Sequence, residues 1–178
     1  MTTPADTPNA TDRSQSQSSV ASLSGLELLR AMERGDLPMP PAARLLGIRG
    51  VEFQPGAAVF EMAAAAEHYN PLGVIHGGLL ATLLDTAMGC AVHSVLPAGV
   101  SYTTLEFKIN FVRAATLASG TLRAHAGLVH EGGRTAVAEG RIEDGHGRLV
   151  AHGTTTCLVL RPDARADGRA PAPATSGS

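Results

Sequence analysis

Residues 77–96 read Gly77-Gly-Leu-Leu-Ala-Thr-Leu-Leu-Asp-Thr-Ala-Met-Gly-Cys-Ala-Val-His-Ser-Val-Leu96, and this run decides the fold. It is too long and too rich in Leu, Ala and Met for a strand, so it predicts a helix. The helix is apolar on nearly every side, which marks one surrounded by protein. The exceptions are Thr82, Asp85, Thr86, Gly89 and His93. Their spacings of three and four put them on one stripe, a polar seam along a greasy rod.

On either side of the helix the pattern changes to strands. Upstream, Leu46 to Phe53 alternates, with a parity slip near Gly50 that suggests a bulge, and Ala57 to Met62 follows a Gln54-Pro55-Gly56 turn. Glu67 to Gly73 reads as a loop, with Asn70-Pro71 as a turn signal. Downstream, Leu105, Phe107, Ile109 and Phe111 alternate with Glu106, Lys108 and Asn110, which predicts a strand with one buried face. Gly120–His130, Arg134–Glu143 and Arg148–Leu160 follow, separated by Gly-containing turns. Two strands, one helix and four strands joined by hairpins imply an α+β domain built on an antiparallel sheet. The helix must lie on the concave face of that sheet and still be covered elsewhere. A second copy of the chain is the simplest cover.

The ends look unlike this middle. We expect residues 1–22 and 162–178, rich in Ala, Pro, Ser, Thr, Gly and Asp, to be disordered tails. Residues 23–41 are expected to hold a short helix (Ser24 to Arg34) and a Pro-rich linker, leaving one folded domain at 42–161. In the full chain of 178 residues, 44% are hydrophobic and 17% charged, enough for a real core. A net charge of −2 and 3% aromatics give no case for nucleic acid or an anionic membrane surface. No apolar run reaches the ~18 residues of a membrane span, and no signal peptide is evident, so the cytoplasm is the expected compartment. Cys90 and Cys157 are expected to be reduced thiols. The seven His residues show no metal-ligand spacing, and there is no GxSxG elbow, so neither a metal nor a serine nucleophile is expected.

The stretch His68-Tyr-Asn-Pro-Leu-Gly-Val-Ile-His-Gly-Gly78, with Asp85 nine residues after His76, resembles the signature of the PaaI-type hotdog-fold acyl-CoA thioesterases. The resemblance runs from about Leu45 to Leu160 and includes Tyr102 to Phe111. It implies a curved antiparallel sheet wrapped round one long helix, the order already read from periodicity. It also implies hydrolysis of acyl-coenzyme A without metal or bound cofactor, in a dimer or tetramer. Where the family usually has arginine-proline after the strand, this chain has Arg113-Ala114, a loop change. A non-catalytic acyl-CoA-binding or sensing module is the alternative, since folds do not fix functions.

Several residues carry the expected chemistry. Gly77 and Gly78 open the helix, where backbone N–H groups lack intrahelical acceptors and a missing Cβ allows close approach. Such donors suit a thioester carbonyl becoming an oxyanion, although an ordinary Gly-rich helix start reads the same way. The resemblance favours Gly77 N–H. Asp85 is costly in an apolar helix unless partnered, so it is either a general base or nucleophile, or a structural carboxylate bonded to Thr82 or a neighbouring strand. Eight residues separate Gly77 from Asp85, or roughly 12 Å of helix, too far for one carbonyl to touch both. If both act together, they come from different subunits. The resemblance further implies roles for Asn70 in holding water or substrate, for His76 at the loop or thioester (or as a helix-cap contact that merely fixes the loop), and for Thr104 (or Thr103) beside the carboxylate. His68, Leu79, Leu80 and Met88 are candidate pocket walls. Arg113 and Arg134 are candidates for the coenzyme A phosphates.

Overall fold

The computed structural model describes residues 22–162. The expected tails fall outside them, apart from Ser22 and Pro162 at the edges. The chain begins with α1 (Gly25–Arg34), which has a reciprocal capping box between Ser24 and Glu27 and ends on Gly35 at φ 81°. A second short helix follows, α2 (Pro41–Leu46). The alternation reading started a strand at Leu46. The structure corrects this, because Pro41 sits in the helix's first turn, where a missing N–H costs nothing, and Gly47 at φ 65° closes it.

Six strands form one antiparallel sheet: β1 (Ile48–Gln54), β2 (Ala57–Ala63), β3 (Ser101–Phe111), β4 (Thr121–Glu131), β5 (Thr135–Glu143) and β6 (Leu149–Leu160). Their order is β1-β2-β4-β5-β6-β3. The slip expected near Gly50 is present as a register shift between Gly50 and Glu52. The central helix α3 (Gly77–His93) crosses one face of the sheet. It stops three residues before Leu96. There Ser94 turns its hydroxyl onto the Ala91 carbonyl and accepts from Gly56 N–H, tying the helix end to the β1–β2 turn.

Close approach of α3 depends on small residues beneath it. A Cβ at Gly140 would lie 3.0 Å from both Leu84 Cδ1 and Met88 Cγ. Leu83, Leu84, Ala87, Met88, Ala91 and Val92 are fully buried in this contact. On the other face of the sheet Glu61 is buried but held between Arg49 and Arg123.

The edge strand β3 departs most from expectation. Its apolar residues were expected to face a core, yet Leu105, Phe107 and Phe111 are 56%, 38% and 52% exposed. β3 is one of the two edge strands of the sheet, and the helix covers only part of it. A bulge between Thr104 and Glu106 shifts the register. The buried Thr155 hydroxyl donates to the Glu106 carbonyl, satisfying the backbone at the bulge. The shift flips side-chain parity, so Thr104 and Phe111 both point to the helix side. No helix among the described residues is long and apolar enough to cross a membrane.

Candidate active site

Residues 66–76 lead into α3 and are held almost entirely by local bonds. Ala66–His68 form a 3-10 turn, and Tyr69 bridges Ile75 across the loop. Inside it the Asn70 side-chain oxygen accepts from Leu72 N–H at 2.9 Å and Val74 N–H at 3.4 Å. That engagement fixes the amide orientation and leaves its NH2 without a protein partner among the described residues. His68 Nδ1 accepts from Ala65 N–H at 3.3 Å, and its carbonyl takes the His76 N–H at 2.8 Å. His68 thus closes its own turn. Two contacts dock the loop on the segment after β3: Ile75 N–H donates to the Ala115 carbonyl at 2.8 Å, and the Tyr69 hydroxyl accepts from Leu117 N–H at 2.8 Å.

His76 is the N-cap of α3. Its Nδ1 accepts from Gly78 N–H at 2.9 Å. An accepting Nδ1 places the proton of the neutral ring on Nε2, which is then a donor. The His76 carbonyl takes the Leu79 and Leu80 N–H groups at 2.9 and 3.3 Å. The first turn's donors are therefore spoken for, except Gly77 N–H. This separates the two glycines that sequence alone could not: Gly78 N–H is occupied by the imidazole, and Gly77 N–H is free of protein partners among the described residues. The helix dipole adds partial positive charge at the same point.

A cleft of about 360 Å³ opens at this end of α3, lined among others by Asn70, Gly77, Leu80, Phe111 and Arg113. The Phe111 ring lies over the helix start, where a Cβ on Gly77 would sit 3.3 Å from its Cζ. Any side chain at position 77 would therefore crowd the cleft. Phe111 and Tyr69 were not singled out as site residues from the sequence. Arg113 reaches this cleft; Arg134 precedes β5 at the β4–β5 turn, where Thr135 pairs with Leu158 at the opposite end of the sheet. Leu79 is half-buried against the core. Met88 is fully buried beneath the helix against Gly140, which makes it a core residue and corrects its reading as a pocket wall.

Two turns further along, Asp85 is half-buried and accepts from the Thr104 hydroxyl at 3.1 Å. The bulge in β3 gives Thr104, not Thr103, the inward parity. The seam threonines serve the helix instead: Thr82 donates to the Gly78 carbonyl at 3.0 Å and Thr86 to the Thr82 carbonyl at 2.7 Å. Asp85 takes part in none of the ion pairs among the described residues. Its titratable neighbours are kept neutral. Burial pushes the Cys90 thiol up to about 12, and burial also raises the Tyr102 phenol and the Cys157 thiol. No group of three or more potential metal-ligating side chains occurs among the described residues.

The sequence and the fold both match known proteins. The Thioesterase superfamily matches residues 72–151. Acyl-coenzyme A thioesterase PaaI of Escherichia coli is 33% identical over 109 residues, covering 61% of this chain and 75% of that protein. The chain belongs to the PaaI-type hotdog thioesterases. Among solved structures, a phenylacetic acid degradation-related protein from Ralstonia eutropha is 31% identical with a TM-score of 0.67, covering 73% of this chain and 98% of that one. A relative from Halobacterium salinarum is 42% identical over 69 residues, which span 38% of this chain and 44% of its own length. Membership of this family makes the protein a thioester hydrolase.

Proposed function

We propose that the protein hydrolyses acyl-coenzyme A thioesters at a site completed by two copies of the chain. One observation carries this reading: Gly77 N–H is the single donor of the first helical turn left without a partner, while Asp85 sits roughly 12 Å along the same helix. Gly77 N–H polarises the thioester carbonyl and stabilises the oxyanion that develops there. Asp85 of the second copy activates water for attack on the carbonyl carbon, and Thr104 holds that carboxylate in place. The tetrahedral intermediate then collapses, expelling the coenzyme A thiolate and leaving the free acid. The unpartnered Asn70 NH2 and the His76 Nε2–H are further donors around the thioester. Arg113 at the cleft meets the phosphates of coenzyme A. Arg134, at the opposite end of the sheet, has no part in this scheme. The exposed apolar stretch of β3 supports the second copy, since a bare strand edge with Leu105, Phe107 and Phe111 on it calls for cover.

The test is thiol release from a panel of acyl-coenzyme A thioesters. We expect a folded Asp85→Asn protein to lose about a thousandfold in kcat with little change in KM. Mixing inactive Asp85→Asn with inactive Gly77→Pro subunits should restore part of the activity, because one of the two sites in a mixed dimer is intact. Both variants must be shown to fold and exchange, by circular dichroism and by mass-tagged mixing. With exchange established, absence of recovery would sink the shared site.

A further inference from the structure

Beside the Asp85–Thr104 pair lies a second, mostly apolar cavity of about 220 Å³. It is lined by residues of α1, the segment after it, β1, β2, α3 and β3. Leu28 and Met32 of α1 roof it, Phe53 of β1 forms one wall, and Thr86 and His93 of α3 with Tyr102 of β3 form the other. Thr86 immediately follows Asp85. Tyr102 lies two residues before Thr104 on the same strand face. Asp85 and Thr104 do not themselves line the cavity, but it begins one residue on from the carboxylate and runs along the second half of the helix, away from Gly77. From Thr86 to His93 is seven residues, or about 10 Å of helix.

The walls are apolar apart from a few polar groups. Cys90 and Tyr102 are kept protonated by burial, and burial lowers the pKa of His93, while the one carboxylate of the lining, Glu33 of α1, is exposed. His93 Nδ1 is buried without a hydrogen-bond partner. An apolar chain pushed further along this wall would lie against that unsatisfied nitrogen and gain little. Capacity follows from volume and length. A dry cavity of about 150 Å³ takes a benzene molecule, so 220 Å³ takes roughly nine carbon atoms. An extended chain advances about 1.2 Å per bond, so about 10 Å holds roughly eight bonds.

We propose that this cavity is the acyl pocket, that it selects medium-chain acyl groups of about eight to ten carbons, and that α1 is the element setting the limit. This rests on the thioesterase reading above and names its substrate class. With the carbonyl between Gly77 of one copy and Asp85 of the other, the chain enters the pocket of the copy that supplies Asp85. Helix α1 precedes the segment matched to the Thioesterase superfamily, so the limit comes from a part of the chain outside that match.

Straight-chain acyl-coenzyme A thioesters from two to sixteen carbons test this. kcat/KM should peak at eight to ten carbons and fall at least tenfold at either extreme. Met32→Ala, which opens the roof, should move the peak up by about two carbons. Leu28→Trp, which fills the pocket, should move it down. A flat chain-length profile, or equal loss on all chains in both roof variants, overturns the pocket while leaving the hydrolase reading intact. Binding of decanoyl-coenzyme A to the Asp85→Asn protein, followed by calorimetry, reads the pocket without turnover. Leu28→Trp should weaken that binding about tenfold, and unchanged binding overturns the assignment. Absence of hydrolysis of every chain by the folded protein, with decanoyl-coenzyme A still bound and still sensitive to Leu28→Trp, instead overturns the hydrolase reading and keeps the pocket.

Discussion

The lead-in loop of α3 and the edge strand β3 flank the same cleft but are finished to different degrees. In the loop, every backbone turn is closed from within the chain: Asn70 holds Leu72 and Val74, His76 holds Gly78, and Tyr69 and Ile75 dock on the segment after β3. In β3 one side pairs with β6 and the other is open, with apolar side chains exposed along it. On the proposed reading, the donor half of the chemistry is preorganised within one protomer, and the carboxylate half serves a site completed by a second copy. Electrostatic catalysis needs donors that do not reorganise during reaction, which the closed loop supplies. A site shared across subunits, as proposed, would use the open apolar edge of β3.

The largest way to break this contrast is to spoil the open side. Phe107→Lys puts a charge on the exposed inner face of β3 and leaves the β6 pairing alone. We expect the protein to become monomeric at micromolar concentration in sedimentation, and kcat/KM to fall by about a hundredfold or more. The far-ultraviolet spectrum should be unchanged. Full turnover by a monomer would show that Gly77 and Asp85 do not have to meet across two chains. A smaller effect comes from the link between the two halves. Thr104→Val keeps the shape but removes the hydroxyl that donates to Asp85. A hydrogen bond to a charged group is worth about 1.5–3 kcal/mol, so kcat should drop by roughly ten- to a hundredfold while the protein stays dimeric. Equal loss in Thr103→Val would contradict the parity that the bulge imposes.

The succession of strands along the chain, the central helix and its polar seam were readable in the sequence because each has its own period. It misled where the same pattern has two physical causes. Pro41 reads as a breaker, yet in the first turn of α2 it is a helix starter. Alternation in β3 predicts a buried face but cannot say whose chain buries it. Helix α3 is apolar all round, so nothing in its sequence separates Met88, under the helix, from Leu79, at its flank. The choice between Thr103 and Thr104 hung on the bulge at Leu105, a position with no glycine or proline to announce it. The choice between Gly77 and Gly78 hung on where the His76 ring turns. Tyr69 and Phe111 were hidden for a related reason: each acts through a contact distant in sequence.

Tyr69→Phe is the mildest test, and it probes the closed side. The change removes only the oxygen that accepts from Leu117 N–H, 48 residues away, and leaves the ring and its bridge partner in place. That N–H is at the surface and can turn to water, so the cost is the net value of one hydrogen bond, about 1 kcal/mol. For a domain of this size that lowers the unfolding midpoint by about 3 °C. Because Asn70 and His76 keep their own bonds, kcat/KM should fall less than threefold and the dimer should persist. A loss as large as that of Thr104→Val would mean that the loop depends on its dock after β3 to hold Gly77 in place. In that case the two sides of the cleft would be coupled, and the loop could not be treated as closed on its own.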